Sequence, residues 1–220
     1  MKKIVLDIET RKSIDDVGGW INKHKMGISV LCAIDLDTDE EFTFSDGYPG
    51  ARSLDGLFDF LNGNLLIGHN IASFDLRLIQ EEVAKFTTKE LKVGILDTGS
   101  KRISLASFSE ALFGTHKQMN GADAPIEWQK GDRKKVVEYC MDDVRKTVRL
   151  LRYGLKNGYV FYLNKDRIRM PLNVDWKNKL EGAKIKIQHP ECLGEFKIAK
   201  KGWQCARCHS KITCKEMIEK

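Results

Sequence analysis

The sequence predicts an α/β protein with a small second unit at its C-terminal end. Short β-branched runs give way to alternating strand-like and helix-like segments, which is the pattern of an α/β sheet. Hydrophobic residues are 42% of 220, enough to bury a core. After Gly158 the texture changes, and Cys and Lys accumulate towards the end.

The first strand is Lys3-Ile4-Val5-Leu6-Asp7-Ile8-Glu9, apolar up to an acidic end. Ile28 to Ile34 reads as a second strand and Glu41-Phe42-Thr43-Phe44 as a third. Leu54, Leu57, Phe58 and Leu61 share one face of a helix. Leu65 to Asn70 is a buried strand leaving through Gly68, and Phe74 to Phe86 a helix. Val93 to Thr98 is a short strand, and Leu105 to Phe113 a helix with Gly114 as its stop. Residues 121–131 read as a loop, and Arg133 to Tyr153 as a long helix ended by Gly154. Tyr159 to Leu163 and Arg167 to Met170 make a hairpin. The expected organisation is 1–158 as the main domain, 159–182 as hairpin and linker, and 183–220 as a separate module.

Charge divides the chain. Residues 1–143 carry 18 Lys+Arg against 24 Asp+Glu, and residues 144–220 carry 19 against 7. The acidic part suits cations and the basic part a polyanion. No run approaches a membrane span, and the start Met1-Lys2-Lys3-Ile4 lacks a signal-peptide stretch, so the cytoplasm is the expected compartment. Cysteines there serve as metal ligands or core; Cys32 and Cys140 lie on apolar elements and read as core.

Asp7 and Glu9 are two apart on a strand, so their side chains leave from one face. That strand reads as central, and ligands gather at such strand ends. Asp75 opens a helix after a buried strand. On the long helix, Val136, Cys140, Val144, Val148 and Leu151 form an apolar arc. Asp143 sits at its edge, one turn after Tyr139, while Asp142 is expected to face solvent. No Arg lies one turn away to pair with Asp143. Each acid alone has an ordinary explanation. Together they make an oxygen donor set for Mg²⁺ or Mn²⁺, and two such ions can serve phosphodiester cleavage.

Three segments carry a resemblance in the right order. Asp7-Ile8-Glu9-Thr10, His69-Asn70-Ile71-Ala72-Ser73-Phe74-Asp75 and Tyr139-Cys140-Met141-Asp142-Asp143 resemble the three motifs of the DEDD 3′→5′ exonucleases, in their tyrosine form. Gly18 to Met26, Glu127 to Gly131 and Tyr139 to Trp176 are similar to the ribonuclease-H-like exonuclease domain found alone or attached to DEAD/DEAH-type helicases. The resemblance implies a mixed five-stranded sheet flanked by helices. It implies two divalent ions on Asp7, Glu9, Asp75 and Asp143, a water oriented by Tyr139, and Thr10, Asn70 and Phe74 near the 3′-terminal nucleotide. It implies a structural role for Asp97-Thr98. The implied substrate is nucleic acid with single-stranded 3′ ends, DNA ahead of RNA, and a helicase or another DNA-processing protein is the implied partner.

His189-Pro190-Glu191-Cys192 and Cys205-Ala206-Arg207-Cys208 have paired-ligand spacing, with twelve residues between the pairs. They resemble the knuckles of a zinc ribbon holding one structural Zn²⁺. His189 stands where a ribbon usually has Cys, and Cys214 and His209 are rival fourth ligands. Lys184, Lys186, Lys197, Lys200, Lys201, Arg207 and Lys211, with Trp203 among them, suit phosphate contact and base stacking, or a protein partner. Two further readings stay open: a structure-selective endonuclease on the same fold, and a nucleic-acid-binding module without chemistry.

Overall fold

The structure, a computed structural model, describes residues 1–99, 103–115 and 119–182, and the backbone alone of 196–199, 202–205 and 211–212. Strands β1 (Lys3–Thr10), β2 (Ile28–Asp35), β3 (Glu41–Phe44), β4 (Leu65–Gly68) and β5 (Gly94–Asp97) form one mixed sheet in the order β3-β2-β1-β4-β5. β1 to β3 run antiparallel, and β4 and β5 join β1 in parallel. β1 is therefore central, as its apolar run required.

The two faces of β1 build two cores. Ile4, Leu6 and Ile8 pack with α1 (Leu57–Leu61) and α2 (Asp75–Val83). Val5 packs on the other side among residues of α5 (Arg133–Asn157), with α3 (Leu105–Phe113) and α4 (Ala124–Lys130). By the two-residue period of a strand, Asp7 and Glu9 continue the Val5 row and face α5. The α5 arc is buried as its spacing predicts: Val136, Cys140, Val144 and Leu151 are inaccessible and Val148 nearly so. Cys32 and Cys140 are free, buried thiols, and Cys140 Sγ donates to the Asp7 carbonyl at 3.4 Å.

Three local expectations need correcting. Residues 121–131 are not all loop, because α4 forms with Pro at its start and Gly131 in the left-handed conformation at its end. Gly154 does not end the long helix, which runs on to Asn157 and closes at Gly158, φ 76°. The linker after the hairpin of β6 (Tyr159–Leu163) and β7 (Arg169–Asn173) also holds a helix, α6 (Trp176–Glu181). Trp176 and Val160 are buried in the α5 core.

Gly154 is small for a packing reason. A Cβ there would overlap the ring of Trp176 and press on Val174. Ala in place of Gly gains about 1 kcal/mol of helix propensity, but overpacking against a buried ring costs about 1–3 kcal/mol. Gly154→Ala is therefore expected to lower the urea midpoint. An unchanged or higher midpoint would show that Trp176 moves aside freely.

Near the C-terminus, β8 (Phe196–Ala199), β9 (Gly202–Cys205) and β10 (Lys211–Ile212) make a three-stranded antiparallel sheet in the order β10-β9-β8. Of the expected zinc ligands, His189, Cys192 and Cys208, with the rivals His209 and Cys214, lie outside the described residues, and Cys205 is described only as backbone. No described helix is long and apolar enough to cross a membrane.

Candidate active site

Three elements bring the four expected acids to the C-terminal end of the central strands. β1 supplies Asp7, partly buried, and Glu9, 7% exposed. The first turn of α2 supplies Asp75, 5% exposed, whose carboxylate takes the backbone N–H of Ile8. α5 supplies Tyr139, 5% exposed, and Asp143, with a side chain 17% exposed.

Their electrostatics are those of one cluster. Burial first, then the charges of Asp75, Glu9 and Asp143, push the Asp7 carboxyl well above its ordinary range. Burial also raises Asp75 to about 7, against the pull of its backbone hydrogen bonds. Burial and the neighbouring carboxylates raise Tyr139, whose side chain hydrogen-bonds Asp143. Tyr139 thus keeps its proton near neutrality and acts as a donor.

Asp97 sets the loop that delivers Asp75. Its carboxylate accepts the N–H groups of Asn70 at 2.8 Å, Ala72 at 3.2 Å and Gly99 at 2.7 Å. Asn70 holds a left-handed φ of 62° within that loop, a conformation Asn tolerates better than most residues. Thr98 donates to the Gly68 carbonyl at 3.2 Å, so the pair has the structural role expected of it.

Of the expected substrate contacts, Thr10 is buried and its hydroxyl donates to the Lys12 carbonyl at 2.9 Å. Asn70 is exposed, and Phe74 is partly buried with its ring edge-on to Trp20 at 6.3 Å.

Asp142 does not face open solvent. Its side chain is 30% exposed and Oδ2 lies 2.6 Å from Nζ of Lys146, which also donates to Asp143 Oδ1 at 2.8 Å. Lys146 is itself 4% exposed. The cation beside Asp143 is thus a Lys and not an Arg. Its spacing of three and four residues from the two acids was the available signal.

As placed, no three described His, Cys, Asp or Glu side chains are gathered to hold a metal ion. Lys146 satisfies Asp143 Oδ1 instead. The donor chemistry nevertheless fits a hard cation: Glu9 and Asp75 are buried, Asp7 and Asp143 partly so, and burial followed by the charges of the other three raises Asp7.

The burial of Asp75 has a measurable sign. The fold holds the proton of Asp75 up to about pH 7, while an unfolded carboxyl releases it near 3.8. Between those values the folded state binds more protons, so this contribution lowers stability as pH rises. In EDTA, stability is expected to fall from pH 4.5 to 7.5 more steeply in the wild type than in Asp75→Asn. Equal slopes in urea titrations would remove the buried-carboxylate account.

No family model matches the chain, and no curated protein matches it. Among solved structures it is similar to the family B DNA polymerase from the hyperthermophilic archaeon Pyrobaculum calidifontis. The TM-score is 0.53 at 18% identity, over 70% of this chain and 24% of that one. A zinc-bound E. coli ExoI–ssDNA complex matches at a TM-score of 0.35 and 12% identity, over 71% of this chain and 41% of that one. The polymerase likeness concerns the fold alone, and the chain spans about a quarter of that protein. The mixed five-stranded sheet flanked by helices is an α/β architecture consistent with a ribonuclease-H-like fold.

Proposed function

We propose that the chain is a divalent-metal-dependent 3′→5′ exonuclease acting on single-stranded ends, on DNA ahead of RNA. The observation that carries this reading is the convergence of Asp7, Glu9, Asp75 and Asp143 beside a protonated Tyr139. Asp7, Glu9, Asp75 and Asp143 would hold two ions of Mg²⁺ or Mn²⁺. When bound, the ions activate water and neutralise charge developing on the phosphate. Tyr139 donates its O–H and positions the water rather than removing its proton. Asp97 fixes the loop that aims Asp75, and Asn70 and Phe74 border the terminal nucleotide.

The test is stepwise loss of mononucleotides from the 3′ end of a 5′-labelled strand, read as a ladder of shortened labelled products, with Mn²⁺ and with EDTA, on free and on blocked 3′ ends. Metal-dependent release stopped by a 3′ block supports the reading, and cleavage of blocked ends points to an endonuclease. A binding module without chemistry is the second reading, favoured by the absence of a gathered metal group among the described residues. It would shift the strand in a gel and release nothing.

The C-terminal module is assigned one Zn²⁺ on His189, Cys192, Cys205 and Cys208, and a share of nucleic-acid affinity. Because Trp176 and Leu180 pack on the core, a shortened chain should end after Gly182. That chain is expected to contain no zinc, to keep cleaving, and to bind a labelled strand more weakly. Its affinity should also depend less steeply on salt, since fewer counterions are released. Identical affinity and salt slope in the two chains would turn the module towards protein docking.

A further inference from the structure

Between β1 and β2 the chain makes an excursion that carries the 3-10 turn Trp20–Lys25. Backbone bonds from Arg11 to Gly27 and from Lys12 to Met26 close its base. Gln129 of α4 holds its outside through the Arg11 carbonyl at 3.0 Å and Asp16 at 3.3 Å. Lys23 Nζ donates to the Ser73 carbonyl at 2.6 Å, tying the turn to the loop that delivers Asp75. The excursion is thus fixed relative to the acids on three sides.

Two features of this turn serve no purpose in the core. Trp20 is 69% exposed and Ile21 87% exposed, an unusual apolar pair to leave in water. Beside them, a cavity of about 440 Å³ opens between the turn and α2, lined by Ile21, Lys23, His24, Ala72, Leu76 and Arg77, with Gln80 at its end. Its size lies within the roughly 300–1,000 Å³ of small-ligand sites. Its lining includes the cations Lys23 and Arg77 and no acid, although this part of the chain is acidic in sum. Arg77 pairs with Glu81 at 2.8 Å, but both side chains are about two-fifths exposed, and such a pair exchanges readily for a phosphate. Ala72 and Leu76 bracket Phe74 and Asp75 in the chain, so the cavity lies beside the segment that delivers Asp75.

We propose that this cavity seats the strand upstream of the reacting end. Trp20 and Ile21 offer a face for a base, and Lys23, His24 and Arg77 hold a backbone phosphate. Cationic groups interleaved with an exposed aromatic ring are what single-stranded nucleic acid needs from a surface that does not read its sequence. A protein partner would find the apolar pair but would have no use for the cationic lining. The inference rests on the nuclease reading for the direction of the strand, though not for binding itself.

The experiment compares full-length wild type, Trp20→Ala and Arg77→Gln. Trp20 is exposed and the Arg77 side chain about two-fifths so, and neither belongs to a core, so both variants are expected to fold. Anisotropy of a fluorescent single-stranded 12-mer in EDTA gives affinity without chemistry. Trp20→Ala is expected to weaken binding about tenfold. Arg77→Gln is expected to reduce the slope of log Kd against log salt by about 0.7, one phosphate contact on a single strand. With Mn²⁺, the ratio of kcat/KM on the 12-mer to that on the p-nitrophenyl ester of thymidine monophosphate, which has no upstream nucleotide, should fall in both variants. Weakened binding by the variants of a protein that hydrolyses neither substrate would keep this seat and remove the nuclease reading. Wild-type affinity and salt slope in both variants would overturn the seat, whether or not the enzyme cleaves, and would leave Trp20 and Ile21 as a face for a protein.

Discussion

Asp7→Asn is expected to be inactive and, in EDTA at neutral pH, more stable than the wild type. The two effects share one cause. The Asp7 carboxyl is buried and faces Asp75, Glu9 and Asp143, so its ionised form is held at a cost to the fold. An amide of the same shape removes that cost. It also removes a carboxylate from the proposed cation site, where the metal contribution is several kcal/mol, or about 10²–10⁴-fold in rate. Glu9→Gln, Asp75→Asn and Asp143→Asn should lose activity to a similar degree. Asp143→Asn should not gain stability, because it breaks the bond to Lys146. Thermal melts in EDTA beside single-turnover cleavage would check both halves. If Asp7→Asn melts below the wild type, the carboxylates do not repel each other as described. If it cleaves normally, they are not the catalytic set.

Much of this was legible in the sequence for identifiable reasons. β1 was readable because the apolar run Ile4 to Leu6 leads into two acids spaced by Ile8, and a central strand must look like that. The pairing of Asp7 and Glu9 on one face follows from strand geometry alone. α3 was readable to the residue, with Ser104 capping the Ser107 N–H at 3.2 Å and Gly114 closing it at φ 65°. Asp143 was found because a carboxylate at the edge of an apolar arc is unusual.

What stayed hidden depended on partners distant in sequence. Gly154 looks like a helix stop until Trp176 is seen to need its space. Gly158 differs in having nothing packed against it and in taking the left-handed conformation that closes the helix. The seven residues of α4 are too few to show a period, and its stability comes from contacts with α5 and β1. The exposed Trp20 and Ile21 are invisible as such in a sequence, where an apolar pair reads as core. Lys146 was missed because a Lys on a long helix ordinarily extends to water.

Lys146 gives the other large expectation. It is 4% exposed and its ammonium lies within 2.8 Å of both Asp142 and Asp143. It touches no reacting atom in the proposed mechanism, so its part is positioning. By holding Asp143 Oδ1 it fixes the carboxylate and leaves the other oxygen for the cluster around Asp7. Lys146→Met keeps the length of the side chain and loses the charge. Two adjacent acids on one turn then face each other without a cation. Breaking a buried pair costs about 3–5 kcal/mol, and partial exposure of Asp142 and Asp143 puts this case at or below the lower end. Loss of a group that orients a proposed metal ligand costs about 10–100-fold in activity. Lys146→Met is therefore expected to cleave about 10–100-fold more slowly, Lys146→Arg to recover part of that, and Asp142→Asn to lose less than either Asp143→Asn or Lys146→Met. A second measurement separates positioning from simple packing. Mn²⁺ supplies the charge that the variant lacks, so it should raise the melting temperature of Lys146→Met by more than that of the wild type. Equal metal shifts in the two proteins, with full activity in the variant, would make Lys146 only a neutraliser of Asp142.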